Sequence, residues 1–150
     1  YPSGVRGTPV EINESVAPIV VWRKEYRTDS GGAGAQRGGL GQVIEVGSAI
    51  DADLELLAAF DRIDYPPRGR DGGLNGDAGS LRLASGAQLR GKGTQHVAGG
   101  ERLVIHTPGG AGHGDPHTRA QGLVSSDLRN GLISAEGAAR EYGYTAAKAD

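Results

Sequence analysis

The side chains most capable of chemistry lie in and next to residues 107–116, which read TPGGAGHGDP. Three histidines, His106, His113 and His117, combine with Asp115 in the spacing H-x6-H-x-D-x-H. Imidazole and carboxylate groups are competent ligands for zinc or iron. A flexible glycine loop holds ligands poorly, however, and nothing in the sequence makes these side chains converge. We therefore expect solvent-exposed loop histidines and no metal site.

Two other stretches come close to nucleotide-binding patterns but lack the required context. GAQLRGKG at 86–93 nearly matches G-x-x-x-x-G-K-[ST], but a strand pattern follows it, whereas a phosphate loop needs a helix there. We interpret it as a hairpin connection. GAGAQR at 32–37 is a broken G-x-G-x-x-G with Arg37 at the third glycine and no βαβ unit around it. A serine-nucleophile elbow, G-x-S-x-G, is also missing from the sequence.

The glycine strings allow two interpretations that the residues alone leave open. Glycine suits sharp turns, and its bare amides can also hydrogen-bond an anionic group or contact a subunit. Arg37 could clamp a carboxylate bidentately, although a surface ion pair is the commoner use of such a residue. No catalytic residue can be named. The candidates for ligand or subunit contact are Ser30, Gly31, Gly32, Arg37, Gly109, Gly110 and Asp115.

Composition narrows the class of protein. The 150 residues suit one domain, and 27 of them are glycine. The 16 basic and 18 acidic residues are interspersed, so no basic stripe is present to bind nucleic acid. No apolar run approaches the ~20 residues that span a bilayer. The lack of cysteine excludes disulfides and thiolate chemistry, which fits a reducing, cytoplasmic compartment. Because the first residue is Tyr1, we expect a piece of a longer chain.

The elements that must position these residues are predicted to be strands followed by helices. Five runs rich in β-branched, aromatic or other apolar residues predict strands, at 17–27, 42–46, 54–60, 81–85 and 102–107. Glycine-rich connections join them, at 31–41, 69–79, 91–100 and 109–114. In the first strand, Trp22 and Tyr26 are expected to serve core or interface packing.

A helical tail is predicted after Asp115-Pro116, which suits an N-cap followed by the first helical position. One helix falls within 119–130, and a second, at 135–142, follows Ser134 as N-cap. Gly131 and Gly143 end the two helices. The order predicts an α+β fold: a β-rich region over 1–116 and a helical hairpin over 117–150, packed as one domain.

Four stretches in this order resemble one family. They are YPSGVRGTPVEINE (1–14), DSGGAGAQRGGLG (29–41), TPGGAGHGDP (107–116) and LRNGLISAEGAAREYG (128–143). Together they resemble the C-terminal part of the hydantoinase B/oxoprolinase family. The chain departs from the family pattern at His113, where an aromatic residue is usual, and at Ala111, where a further glycine is usual.

The resemblance implies an ATP-dependent enzyme that opens cyclic amides such as 5-oxoproline or N-methylhydantoin. It also implies relatives that carboxylate small ketones. The implied partners are the upstream part of the B-type subunit and an A-type subunit that handles the nucleotide, with homo-oligomerisation as a further option. ATP and a divalent metal are expected for the whole enzyme, and neither is expected on this segment.

Three functions remain open from the sequence. The chain is expected to be a segment of a cyclic-amide hydrolase that is inactive alone. The first alternative is a non-catalytic assembly module, for which exposed Trp22 or Tyr26 would be evidence. The second alternative is a segment of a related ketone carboxylase.

Overall fold

The computed structural model describes residues 7–145 and combines helices with two antiparallel sheets. Its helices are α1 (Val10–Val16), α2 (Gln121–Arg129) and α3 (Ala135–Tyr142). Its strands are β1 (Ile19–Tyr26), β2 (Gln42–Ser48), β3 (Leu54–Ala59), β4 (Ser80–Leu83), β5 (Lys92–Val97) and β6 (Arg102–His106). The α+β class and the C-terminal helices predicted from the sequence are confirmed. Residues 1–6 and 146–150, the ends of the predicted β-rich region and helical tail, lie outside the described part.

The larger sheet has the strand order β1-β2-β6-β4, with every neighbouring pair antiparallel. Ile105 of β6 is registered between Ile44 of β2 and Leu81 of β4, so three apolar side chains form one row across the sheet. Leu81 is almost fully buried. β1 forms one edge, and its register with β2 shifts between Val21 and Arg23, a β-bulge.

The smaller sheet contains one strand that the sequence did not predict. β5 pairs with β3 from Leu54↔Val97 to Ala59↔Lys92. The prediction of a loop over 91–100 is therefore wrong for Lys92–Val97, and the described residues hold six strands instead of five. The sequence of β5, KGTQHV, has a glycine and few apolar residues, so its hydrogen bonding to β3 overrides weak local propensity.

A second unpredicted element is α1, which has no buried residue and no side-chain N-cap. A carboxylate oxygen of Glu14 accepts a hydrogen bond of 2.8 Å from the backbone N–H of Val21 in β1. Such a short, exposed helix depends on contact with its neighbour, because seven residues are too few for stability in isolation.

Both caps predicted for the second helix of the tail, α3, are present. Ser134 Oγ accepts a 2.9 Å hydrogen bond from the Gly137 N–H, and Gly143 ends α3 in the left-handed conformation at φ 61°. The link between α2 and α3 includes Gly131, also at positive φ (68°).

The tail packs on a glycine-rich segment of the β-region. One apolar cluster joins Ala33, from the connection between β1 and β2, to residues of α2, α3 and their link: Val124, Ile133, Ala138 and Tyr142. This contact fixes the connection against the helices. Within residues 7–145, no helix is long and apolar enough to cross a membrane.

Candidate functional site

Three glycine-rich segments lie side by side and form what we call the glycine junction: residues 29–41, 69–77 and 107–114. Backbone hydrogen bonds connect each segment to both others. Gly32 N–H donates to the Gly110 carbonyl (2.8 Å), Leu74 N–H to Ala33 (2.7 Å) and Gly112 N–H to Leu74 (2.9 Å). Segments far apart in the sequence are therefore closed into one hydrogen-bonded unit.

Close backbone contact explains why these segments are rich in glycine. A Cβ built on Gly109 would overlap the carbonyl oxygen of Ser30, and one on Gly112 would overlap that of Ala33. A Cβ on Gly38 would likewise overlap the carbonyl of Gly110. Bare backbone is needed here because main chain packs against main chain.

The predicted contact residue Ser30 bonds within the protein. It is 1% exposed, and its Oγ donates to the Arg27 carbonyl at 2.6 Å while accepting from the Gly41 N–H at 2.9 Å. The Ser30 carbonyl also accepts a 2.9 Å hydrogen bond from the Asp77 N–H. Ser30 thus closes the base of the first segment and joins it to the second.

Arg37 makes the bidentate carboxylate contact that its type allows, but its partner is internal. Its Nε donates to Asp127 Oδ2 at 2.9 Å and its Nη2 faces Oδ1 at 3.4 Å. Arg119 Nη2 also reaches Asp127 Oδ2, at 2.8 Å. All three side chains are no more than 14% exposed. This ion triad ties α2 to the glycine junction.

The environment of Asp127 favours its charged form. Burial by itself would raise the pKa of this carboxyl, but the hydrogen bonds and charges of Arg37 and Arg119 outweigh burial and hold the pKa below its ordinary value. A signal in the sequence could have pointed to Asp127, namely its spacing from the apolar residues of α2. It falls three residues after buried Val124 and one before Leu128, on the inward face of α2.

Asp115 acts as the predicted N-cap. Its Oδ1 accepts a 2.9 Å hydrogen bond from the His117 N–H. This contact caps a short 3-10 helix at Pro116–Thr118. The α-helix itself begins at Gln121.

The three late histidines do not converge on one point. His113 Nε2 pairs with Asp71 at 2.8 Å, and His117 lies in the 3-10 helix; both are exposed. His106 is half-buried in β6, so the expectation of an exposed loop histidine is wrong at this position. Among residues 7–145 no three His, Asp or Glu side chains are grouped closely enough to hold a metal. These residues do not fit the divalent metal expected for the whole enzyme.

The near phosphate loop does not fit ATP either. β5, a strand, begins at Lys92 inside the motif, so no helix N-terminus faces a phosphate. Gly93, at φ 87°, is itself part of β5.

A small cavity opens between the glycine junction and α3, with a volume of about 120 Å³. Drug-sized ligands occupy cavities of about 300–1,000 Å³, so this space suits a group of a few atoms. It brings two predicted contact residues together with charged side chains that the sequence did not single out. The lining includes Gly31, Gly32, Asp29, Asp77, Arg140 and Glu141.

Asp29 is the residue of this lining most constrained by the fold. It adopts a left-handed backbone conformation (φ 63°), and its Oδ1 accepts a 2.8 Å hydrogen bond from the Ser134 N–H at the start of α3. Asp29 follows the first predicted strand, and no motif in the sequence marks it as a cap. Its capping partner lies 105 residues later, beyond the reach of a local pattern.

Comparison with known proteins identifies the family. The family described as hydantoinase B/oxoprolinase matches residues 1–116. The chain belongs to this family. The beta subunit of caprolactamase from Pseudomonas jessenii is 34% identical over 149 residues, which cover 89% of this chain and 24% of that protein.

Two solved structures share the fold. The crystal structure of the ATP-dependent caprolactamase from Pseudomonas jessenii superposes with a TM-score of 0.78 at 27% identity, covering 95% of this chain and 26% of that one. Nucleotide-free acetone carboxylase superposes with a TM-score of 0.71 at 22% identity, covering 99% of this chain and 24% of that one. The second likeness concerns the fold alone. The chain spans about a quarter of the length of these relatives.

Proposed function

We propose that this chain is the C-terminal segment of an ATP-dependent cyclic-amide hydrolase that opens 5-oxoproline or N-methylhydantoin. The observation that carries the proposal is the family match over residues 1–116. The likeness to an ATP-dependent caprolactamase, over 95% of this chain, supports it, because caprolactam is also a cyclic amide. Cytoplasmic location belongs to the same proposal.

Within such an enzyme the segment would supply a rigid wall. The hydrogen bonds of the glycine junction and the Asp127 ion triad fix the backbone of the first segment on both sides. Gly31 and Gly32, in the small cavity, are our candidates for contact with a ligand or a neighbouring subunit. Ser30, Arg37 and Asp115 would act by holding these segments in place. Gly109 and Gly110 would permit the close approach of their backbones.

ATP and the divalent metal are proposed to bind elsewhere. The supporting observation is that neither the late histidines nor residues 86–93 fit such a ligand within the described part of the chain. The upstream part of the B-type subunit and an A-type subunit would supply those groups. The chain alone is therefore expected to have no turnover.

The test compares the chain alone with the assembled enzyme. Each is incubated with ATP and either 5-oxoproline or N-methylhydantoin, and both ring-opened product and ADP are quantified. We expect product only from the complete assembly and only with ATP. Hydrolysis by the chain alone would overturn the assignment of the reacting groups to other parts. Carboxylation of acetone without ring opening by the assembly would instead favour the carboxylase alternative.

Exposed aromatic residues favour a second, compatible role in assembly. Trp22 is 59% exposed and Tyr26 is 65% exposed, both on edge strand β1. Aromatic residues are enriched at protein interfaces. Light scattering gives the molar mass of the chain with and without an A-type subunit, and so shows whether it self-associates or binds that subunit. A chain that stays monomeric and binds no A-type subunit would argue against direct docking between those two.

A further inference from the structure

An apolar groove lies on the outside of the glycine junction, with a volume of about 420 Å³. Three parts of the fold form it: Tyr26 at the end of β1, Gly39 and Leu40 of the first glycine segment, and Leu132 between α2 and α3. We call it the Tyr26 groove. Its apolar side chains come from distant parts of the chain, so they differ from the isolated exposed apolar residues normal on a surface.

Hydrogen bonds fix both walls of the Tyr26 groove. The Gly39 carbonyl accepts from the Gly110 N–H at 2.7 Å, and the Leu132 N–H donates to the Asp127 carbonyl at 2.9 Å. A preformed groove requires little ordering when it is filled, so more of the contact energy favours binding.

The guanidinium group that lines the groove already has partners within the protein. Arg37 contributes to the lining, but Asp127 pairs with its guanidinium and Gly38 O accepts from its Nη1 at 2.6 Å. Apart from this paired guanidinium, the side chains of the groove are apolar or aromatic, which suits an aliphatic or aromatic side chain.

The two exposed aromatic residues of β1 lie on opposite faces of the larger sheet. Trp22 lies four residues before Tyr26 on this edge strand, and its ring is within 5.5 Å of the Arg102 guanidinium. This contact limits the freedom of the ring and leaves more than half of the residue exposed. Tyr26 pairs with Gln42, whereas Trp22 lies at the bulge with its indole beside Gly47, so Trp22 does not extend the groove.

We propose that the Tyr26 groove docks the rest of a B-type polypeptide. The inference rests on the proposed function. Relatives contain the same fold within chains about four times as long, since the matched part is 24–26% of their length. A module embedded in so long a chain needs a surface for its neighbours, and interfaces between domains commonly bury about 600–1,500 Å². A preformed apolar groove that includes an exposed aromatic residue, Tyr26, meets that need.

The experiment uses the absence of cysteine from this sequence. Tyr26→Cys and a control, Leu57→Cys, are each placed in the chain alone and in the longer polypeptide encoded by its gene. Leu57 is 77% exposed, on β3, outside the groove. Maleimide labelling at each position is followed by peptide mass spectrometry. Since thiol reactivity follows access, we expect labelling at position 26 to slow by about tenfold in the longer polypeptide, with position 57 changed by less than about twofold.

The outcomes separate this surface from the proposed function. If the longer polypeptide opens cyclic amides but labels at position 26 as fast as the chain alone, the docking surface is wrong and the function stands. If position 26 is protected but no cyclic amide is opened, the surface stands and the function fails. A reading frame that encodes no more than this chain would overturn both. Protection in the chain alone that grows with protein concentration would show a second copy in the groove and overturn the proposed occupant.

Discussion

Asp127 of α2 accepts a 2.9 Å hydrogen bond from Arg37 of the glycine junction, across 90 positions of sequence. The pair is bidentate and shielded from solvent, and Arg119 joins it from the other side. It is a charged connection between the helical tail and the segment that carries Gly31 and Gly32.

Replacing Asp127 by Asn is expected to destabilise the fold strongly. The substitution leaves two guanidinium groups in a shielded position without a carboxylate, and breaking such a pair typically removes about 3 kcal/mol. Urea unfolding measures the change. Exposed Asp64→Asn is the control and should shift stability by less than about 0.5 kcal/mol. An equally small effect of Asp127→Asn would show that the triad adds nothing to stability.

The contribution of Asp127 should depend on pH with a defined sign. Its pKa in the folded protein is below the ordinary 3.8, so the unfolded chain takes up its proton first as the pH falls. The stabilisation is present above pH 3.8 and is lost as the pH falls through the folded pKa. Urea unfolding is repeated at stepwise lower pH. The difference in the free energy of unfolding between wild type and Asp127→Asn should narrow only below pH 3.8. A difference that vanished already near neutral pH would contradict the assignment.

Close backbone packing in the junction can be tested with two glycines. Gly112→Ala places a Cβ against the Ala33 carbonyl, whereas Gly39→Ala meets no atom within 4 Å. Overpacking of this kind typically destabilises by about 1–3 kcal/mol, and a fixed backbone makes the upper end the expectation. Gly39→Ala should stay within about 0.5 kcal/mol of wild type. Thermal unfolding followed by circular dichroism compares them, and equal effects would refute the close-packing explanation.

Two helical glycines should respond in opposite directions to alanine. Gly122 in α2 has nothing within 4 Å of an added Cβ, so Gly122→Ala should stabilise by about 0.5 kcal/mol through helix propensity. Gly137 in α3 faces the Asp29 carboxylate, and Gly137→Ala would displace that cap and destabilise. Urea unfolding of both variants gives the sign of each change in the free energy of unfolding. Stabilisation by Gly137→Ala would show that Asp29 adapts without loss.

Local signals in the sequence determined the tail and several strands. Ser134 and Gly143 cap α3 through contacts within a few residues, so their types were sufficient to predict where the helix begins and ends. The β-branched runs of β1, β2 and β6 are likewise readable along the chain. The glycine strings and their order were sufficient to indicate the family.

Only the tertiary structure decided how the glycines are used and which elements lack a local signal. A glycine string is compatible with a turn, a ligand loop or close backbone packing, and Gly109 packs on Ser30 only because segments distant in sequence meet. Lys92–Val97 becomes a strand because β3 supplies its hydrogen bonds. Arg37 pairs with Asp127 for the same reason. Partners so distant in sequence are set by the path of the whole chain, and the residues next to each of them do not indicate the pairing.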